Sequence, residues 1–215
     1  MIPFLGPLAA HSLACRRGRR LLFRGLDMRI DSGSITWLRG TNGSGKTSLM
    51  RILAGLSLPA EGEISWAGVP WSRAGADARQ AVVYIGHANA LKDDLTLVEA
   101  VAFGASLSGM DDPTVRAGAA LDAMGLHSRR DAAVRTLSQG QRRRGALARL
   151  RLDEAPRTWI LDEPFDALDA ASVDSLSRLI EAHAQRGGAV LLTSHQPVSL
   201  AGSCEFDLEP FRANP

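Results

Sequence analysis

Eight consecutive residues, Gly40-Thr41-Asn42-Gly43-Ser44-Gly45-Lys46-Thr47, constrain this chain of 215 residues more than any other stretch. They fit G-x-x-x-x-G-K-[ST], in which a glycine-rich turn aims backbone N–H groups at phosphates, a lysine reaches the outer phosphates and a hydroxyl reaches Mg²⁺. The flanks agree with that reading. Ser34-Ile35-Thr36-Trp37-Leu38 is short, β-branched and apolar and predicts a buried strand; Leu49, Ile52, Leu53 and Leu56 then recur at helical spacing and predict a helix. A loop between a strand and a helix N-terminus has the helix dipole and free N–H groups facing an anion. A glycine-rich turn that matched by accident would need neither flank.

With 45% apolar residues the chain can fill a sizeable core, and one compact unit is expected. The net charge of +2 is small, and the excess comes from arginine, since Lys46 and Lys92 are the two lysines. Arg16-Arg17-Gly18-Arg19-Arg20 is read as a solvated turn, because few aromatics accompany it for base stacking. Cys15 and Cys204 make no disulfide framework, which predicts a reducing compartment. No apolar stretch approaches the ~20 residues needed to cross a bilayer, and the first residues do not show a basic region followed by an apolar core and cleavage site. Work at a membrane would therefore go through a partner.

Along the chain, Leu8 to Asp31 reads as short strands joined by the arginine-rich turn, with Leu21, Phe23, Leu26, Met28 and Ile30 largely alternating. Ser57 to Glu63 reads as a break, Ile64 to Gly68 as a strand with a turn, and Ala81 to Gly86 as a buried strand. Leu95 to about Arg135 turns to alanine-rich helical periodicity, opening on a capping box from Thr96 to Glu99, with a further helix around Val115 to Met124. Apolar strands return at Thr158 to Leu161 and Ala189 to Thr193. Strands alternating with helices imply a mostly parallel sheet with its ligand site at the strand carboxyl ends.

Two further segments carry chemistry. The strand Trp159-Ile160-Leu161 delivers Asp162 to the sheet edge, where its carboxylate can hold Mg²⁺ beside the Thr47 hydroxyl, and Glu163 follows where it can polarise a water. Adjacent acids that merely begin a loop would be the plainer account if no phosphate loop preceded them. Thr136-Leu137-Ser138-Gln139-Gly140-Gln141 stands at a helix start, so the Ser138 hydroxyl and the bare backbone at Gly140 can meet an anion, or Ser138 can be an ordinary N-cap.

The phosphate loop, Leu137-Ser138-Gln139-Gly140-Gln141, the Asp162-Glu163 strand, Phe165-Asp166-Ala167-Leu168-Asp169 and Thr193-Ser194-His195 resemble, in order and spacing, the ATP-binding-cassette ATPases over nearly the whole chain. The resemblance implies an α/β fold, a P-loop NTPase with a RecA-like core, an N-terminal antiparallel β-subdomain and an inserted helical subdomain of about residues 91–150, within a single domain over 1–215. It implies ATP and Mg²⁺ as cofactors, with Lys46 and the loop residues Gly40 to Thr47 binding nucleotide. Ser138, Gly140 and Gln141 would close on the nucleotide of a second subunit in a head-to-tail homodimer, Asp166 to Asp169 would link the two sites, and His195 would contact the γ-phosphate. Glu163 is then the general base, Lys46 and His195 act with it, and Thr47 and Asp162 hold the metal. The arginines Arg142-Arg143-Arg144 resemble a common family feature and call for no nucleic acid.

Two positions depart from the family pattern. Arg17 stands where an aromatic residue usually stacks on adenine; a guanidinium plane can also stack on a base, so Arg17 is the expected adenine contact. His87 stands where a glutamine usually helps hold Mg²⁺ and couples to the membrane subunit, and an imidazole can replace it as a metal ligand. Tyr84-Ile85-Gly86-His87, Trp66-Ala67-Gly68 and Thr193-Ser194-His195-Gln196-Pro197 are similar to the ATP-binding subunits of the haem exporter of cytochrome c maturation. That likeness implies an integral membrane permease and haem-handling membrane proteins as partners, and a peripheral place on the cytoplasmic face of the bacterial inner membrane. The ATPase subunit of another transporter is the first alternative, and a soluble cassette ATPase acting on DNA or ribosomes the second. A GTPase is disfavoured by the absence of an Asn-Lys-x-Asp segment, and a small-molecule kinase would leave Ser138 to Gln141 without a purpose.

Overall fold

A computed structural model describes residues 6–152 and 155–213. The described chain divides into two compact units. One runs to Tyr84 and resumes over Ala155–Glu163 and from Ser177; the other takes the chain from Ile85 and again over Pro164–Leu176.

The first unit holds two sheets. β1 (Leu8–Arg17) and β2 (Arg20–Ile30) form an antiparallel hairpin, closed where Gly18 takes a φ of 61°. The arginine run is thus a tight turn, and the strands are ten and eleven residues long rather than short. Their length follows from sustained alternation: Phe23, Leu26, Met28 and Ile30 are buried while Arg24, Asp27 and Arg29 are exposed. A bulge at Ser12, whose N–H donates to Asp27 Oδ1 at 2.9 Å, shifts the register. β4 (Glu61–Trp66) pairs antiparallel with β1 and starts inside the stretch expected as a break, and β5 (Val69–Pro70) follows it.

The second sheet carries the chemistry. β3 (Ile35–Arg39) pairs in parallel with both β8 (Ala189–Leu192) and β9 (Ser203–Asp207), and β7 (Thr158–Leu161) pairs in parallel with β8. With β6 (Val82–Ile85) the order is β6-β7-β8-β3-β9. β7 and β8 are buried throughout, as continuously apolar central strands should be. β6 was expected to be fully buried, yet Val82, Val83 and Tyr84 are half-buried; β6 is an end strand, so it has a neighbour on one side only. Helix α1 (Lys46–Leu53) buries Leu49, Met50, Ile52 and Leu53 into a core shared with Leu13, Phe23, Leu38, Ile160 and Leu191. Leu56, expected on that helix face, lies beyond its end and is 53% exposed.

Helix α2 (Gly75–Gln80) precedes β6. In the second unit, α3 (Leu97–Leu107) starts at the expected capping box: Thr96 Oγ1 accepts the Glu99 N–H, and Glu99 Oε2 accepts the Thr96 N–H at 2.8 Å. α4 (Pro113–Ala123) has proline in its first turn, and α5 (Gln139–Leu147) runs into a 3-10 turn over Ala148–Arg151. Leu97, Val101, Ala105, Ala117, Leu121, Val134 and Leu137 form a core of its own. α6 (Ala170–Gln185) leads into β8.

Candidate active site

The parallel pairing fixes where the chemistry-bearing residues stand. Trp37 of β3 and Leu161 of β7 both register with Leu192 of β8, so Gly40, Asp162 and Thr193 each follow their strand at the same carboxyl edge.

Gly40 to Thr47 turns from β3 into α1. Gly45 has a φ of 108°, a conformation that favours glycine, and a Cβ there would press on Phe23 Cδ1 at 3.1 Å. Lys46 Nζ donates to Gly40 O at 2.7 Å and to Thr41 O at 3.2 Å, lying across the loop. The Ser44 hydroxyl is buried with no hydrogen-bond partner among the described residues. Such an orphaned hydroxyl inside a glycine-rich loop at a helix N-terminus fits a loop shaped for an oxyanion.

One side chain ties the acids together. The Thr193 hydroxyl accepts the Glu163 N–H at 3.0 Å and donates to Asp162 Oδ1 at 3.0 Å, with all three residues buried. Glu163 has a φ of 51°, unusual for a residue with a side chain and the kind of strain that active sites hold. Its carboxylate accepts the His195 N–H at 2.9 Å, and His195 Nε2 lies 3.4 Å from Oε1. The imidazole is 60% exposed and the Glu163 side chain 10%, so the histidine is the solvent-facing member of the pair. Burial first, and then the Asp162 charge, push the Tyr84 phenol up from its ordinary value.

A cavity of about 390 Å³ opens beside this loop, lined by Cys15, Arg16, Arg17, Thr47, Ser48 and Arg51 among others. The structure therefore brings Arg17 to the same hollow as Thr47. Burial raises the Cys15 thiol above its ordinary value, against a hydrogen bond with Ser48.

The second unit holds the remaining candidates. Ser138 is the N-cap of α5 in a full capping box: its Oγ accepts the Gln141 N–H at 3.2 Å, and Gln141 Oε1 accepts the Ser138 N–H at 3.0 Å. A Cβ at Gly140 would stand 2.8 Å from Ala167 O, so α5 and the Phe165 to Asp169 segment touch through glycine. His87 Nδ1 lies 3.6 Å from Asp166 Oδ2, and the imidazole is 73% exposed. Arg143, only 2% exposed, donates to Gly86 O at 2.8 Å, Asn89 Oδ1 at 3.2 Å and Pro164 O at 3.2 Å. Among the described residues no group of three or more His, Cys, Asp and Glu could hold a metal ion. Thr47 and Asp162 offer a hydroxyl and a carboxylate, hard oxygen donors suited to Mg²⁺ when phosphate oxygens complete the shell.

Other histidines are accounted for by packing or surface contacts. His183 is buried and stacked on Trp159 at 3.5 Å, with Nε2 on Arg157 O at 2.8 Å, while His11 meets Ser65 and His127 meets Asp122. Two residues of the site had no role of their own among the sequence expectations: Thr193, and Glu209, whose carboxylate accepts the Thr41 N–H at 2.6 Å. The signal for Thr193 was a hydroxyl directly after an apolar strand; Glu209 had none.

The family model for ABC transporters matches residues 23–166, more than half of the chain. The chain belongs to the ABC transporter family. Within that family it is 47% identical over 193 residues to the cytochrome c biogenesis ATP-binding export protein CcmA of Dechloromonas aromatica, covering 90% of this chain and 94% of that one. It is 46% identical over 191 residues to the protein of the same name from Nitrosospira multiformis, covering 89% and 92%. The solved structure of a dimeric ATP-binding cassette, in a post-hydrolysis state with ADP and Pi, superposes with a TM-score of 0.78 at 21% identity, covering 88% of each chain. That likeness agrees with the ABC ATPase fold, an α/β core with one parallel and one antiparallel sheet. No helix among the described residues of this ABC ATPase is long and apolar enough to cross a membrane.

Proposed function

We propose that the protein is the ATP-hydrolysing subunit of an ABC transporter serving cytochrome c maturation, with haem as the molecule moved or released. The observation that carries the ATPase reading is the Thr193 hydroxyl, which holds Asp162 and Glu163 together at the sheet edge where the phosphate loop begins. Near-half identity over nine tenths of the chain to proteins named for cytochrome c biogenesis and export supports the cellular task.

ATP lies with its phosphates on the Gly40 to Thr47 amides and its base in the hollow beside Arg17. Thr47 and Asp162 would hold magnesium, which would supply positive charge against the phosphate oxygens. Glu163 takes a proton from water as the water oxygen bonds the γ-phosphorus and the bond to the bridging oxygen breaks, leaving ADP and phosphate. Lys46 leaves its loop carbonyls for the outer phosphates and neutralises charge there. His195 orients the γ-phosphate, and its backbone N–H hydrogen-bonds Glu163, the base that takes the proton of the attacking water. Ser138, Gly140 and Gln141 close on the nucleotide of a second copy, so two ATP are sandwiched in a head-to-tail homodimer. His87, whose Nδ1 lies 3.6 Å from Asp166 Oδ2, takes the place of the coupling glutamine toward a permease at the cytoplasmic face of the membrane, and Asp166 to Asp169 link the two nucleotide sites.

Glu163→Gln removes the base while leaving the loop intact. The variant is expected to bind ATP and dimerise, and to hydrolyse it about 10²-fold or more slowly than the parent. ATPase assay and size-exclusion chromatography with ATP check this; turnover at the parental rate refutes the assignment. Purification with the membrane partners, followed by ATPase measurement with and without haem and its chaperone, tests the cargo. A rate indifferent to both sinks that part.

A further inference from the structure

The phosphate loop is held from outside by residues near the far end of the chain, for which the loop motif gives no reason. Leu208 N–H donates to Arg39 O at 3.1 Å and Ala213 N–H to Leu22 O at 3.0 Å, while Arg212 bridges antiparallel to Phe23. Between these anchors the backbone makes one 3-10 turn, Glu209–Phe211, and Asp207 Oδ1 accepts the Glu209 N–H at 3.0 Å. From that turn Glu209 Oε1 accepts the Thr41 N–H at 2.6 Å. Arg212 Nη1 donates to Thr41 Oγ1 at 3.2 Å and lies 3.4 Å from Glu209 Oε2.

A carboxylate beside an anion-binding loop opposes the anion electrostatically. Its presence therefore asks for a compensating benefit, and the geometry supplies one. Gly40 O and Thr41 N–H belong to the same peptide unit, and in a trans peptide they point in opposite directions. Fixing the N–H on Glu209 turns the Gly40 carbonyl the other way, and there it accepts Lys46 Nζ at 2.7 Å. Arg212 offsets the negative charge, and hydrogen bonds from Thr41 hold the Glu209 carboxyl below the ordinary carboxylate range.

We propose that Glu209, backed by Arg212, is a positioning residue for nucleotide binding. It orients the Gly40–Thr41 peptide so that Lys46 is parked over the loop before the phosphates arrive. The inference rests on the loop being the ATP site. It concerns affinity: a pre-set loop loses less freedom when ATP binds.

The test compares the full-length parent with Glu209→Ala, Glu209→Gln and Arg212→Ala. ATP and ADP dissociation constants, KM, kcat and melting temperature are measured for each. Loss of a charged hydrogen bond should make Glu209→Ala bind both nucleotides about 10-fold more weakly, with KM rising more than kcat falls. Glutamine keeps an acceptor oxygen, so Glu209→Gln should return to within about threefold of the parent. Arg212→Ala should fall between parent and Glu209→Ala. Parental affinity in Glu209→Ala overturns the inference, as does a glutamine variant as weak as the alanine one. A loss of kcat that follows melting temperature with KM unmoved also overturns it, because that marks a purely structural contact. A parent that failed to bind ATP would instead sink the functional reading on which this one stands.

Discussion

Thr193 has no exposed surface, yet it governs two acids whose chemistry is not its own. Thr193→Val keeps the shape and deletes the hydroxyl, leaving the Glu163 N–H and an Asp162 oxygen short of a buried partner. The expected cost is about 1–3 kcal/mol of stability and about tenfold or more in kcat, while Thr193→Ser stays near the parent. Denaturant titration and steady-state ATPase assays check both figures. Asp162 could be found in the sequence because it directly follows an apolar strand and so had to emerge at a sheet edge, Glu163 because it comes next, and His195 because Thr193-Ser194-His195 resembles the family's motif. Thr193 could not, since its task depends on β8 lying beside β7, and strand order is a tertiary fact that no local pattern encodes. Glu209 was invisible for the same reason on a larger scale: it sits 168 residues from its partner.

Among the elements, α5 carries the most information per residue. Its start was legible because a serine N-cap with glutamine three residues on is a local pattern with a local cause, and both capping hydrogen bonds form. Its buried guanidinium was not. In sequence Arg143 is one of three successive arginines, whereas in the fold it joins Gly86, Asn89 and Pro164 within one unit. Arg143→Ala takes this donor from the buried Pro164 carbonyl and the part-buried Gly86 carbonyl and is expected to lower unfolding free energy by about 2–4 kcal/mol, read by urea denaturation. Arg143→Gln, which can still donate, should lose less. Strand ends were harder to read: β4 begins at Glu61, where charge and glycine suggested a loop, because pairing with β1 outweighs the weak β-propensity of Glu61, Gly62 and Glu63.

For the whole molecule, several carboxylates are stabilised by hydrogen bonds that exist only when the chain is folded. Those from Thr96 lower Glu99, those from Ser172 lower Asp169, and those from Thr41 followed by Arg212 lower Glu209. A carboxyl with a depressed folded value contributes stability that is complete above its unfolded value and disappears as pH falls through the folded one. Stability should therefore be level near neutrality and decline on acidification below the ordinary values of 4.5 for glutamate and 3.8 for aspartate. Chemical denaturation across that range checks the sign, and Glu99→Gln should flatten part of the slope. The sheet order also bears on how the chain is made. Among the described residues β3, the strand that carries the phosphate loop, pairs with β8 and β9, which begin at Ala189 and Ser203. While the ribosome is still extending the chain, Ile35-Thr36-Trp37-Leu38 has no ladder to join and waits as an apolar segment with both edges open. The nucleotide pocket is thus among the last parts of the protein to be born, and a nascent chain released before Ala189 carries its most sequence-recognisable motif on a strand that has no neighbouring strand.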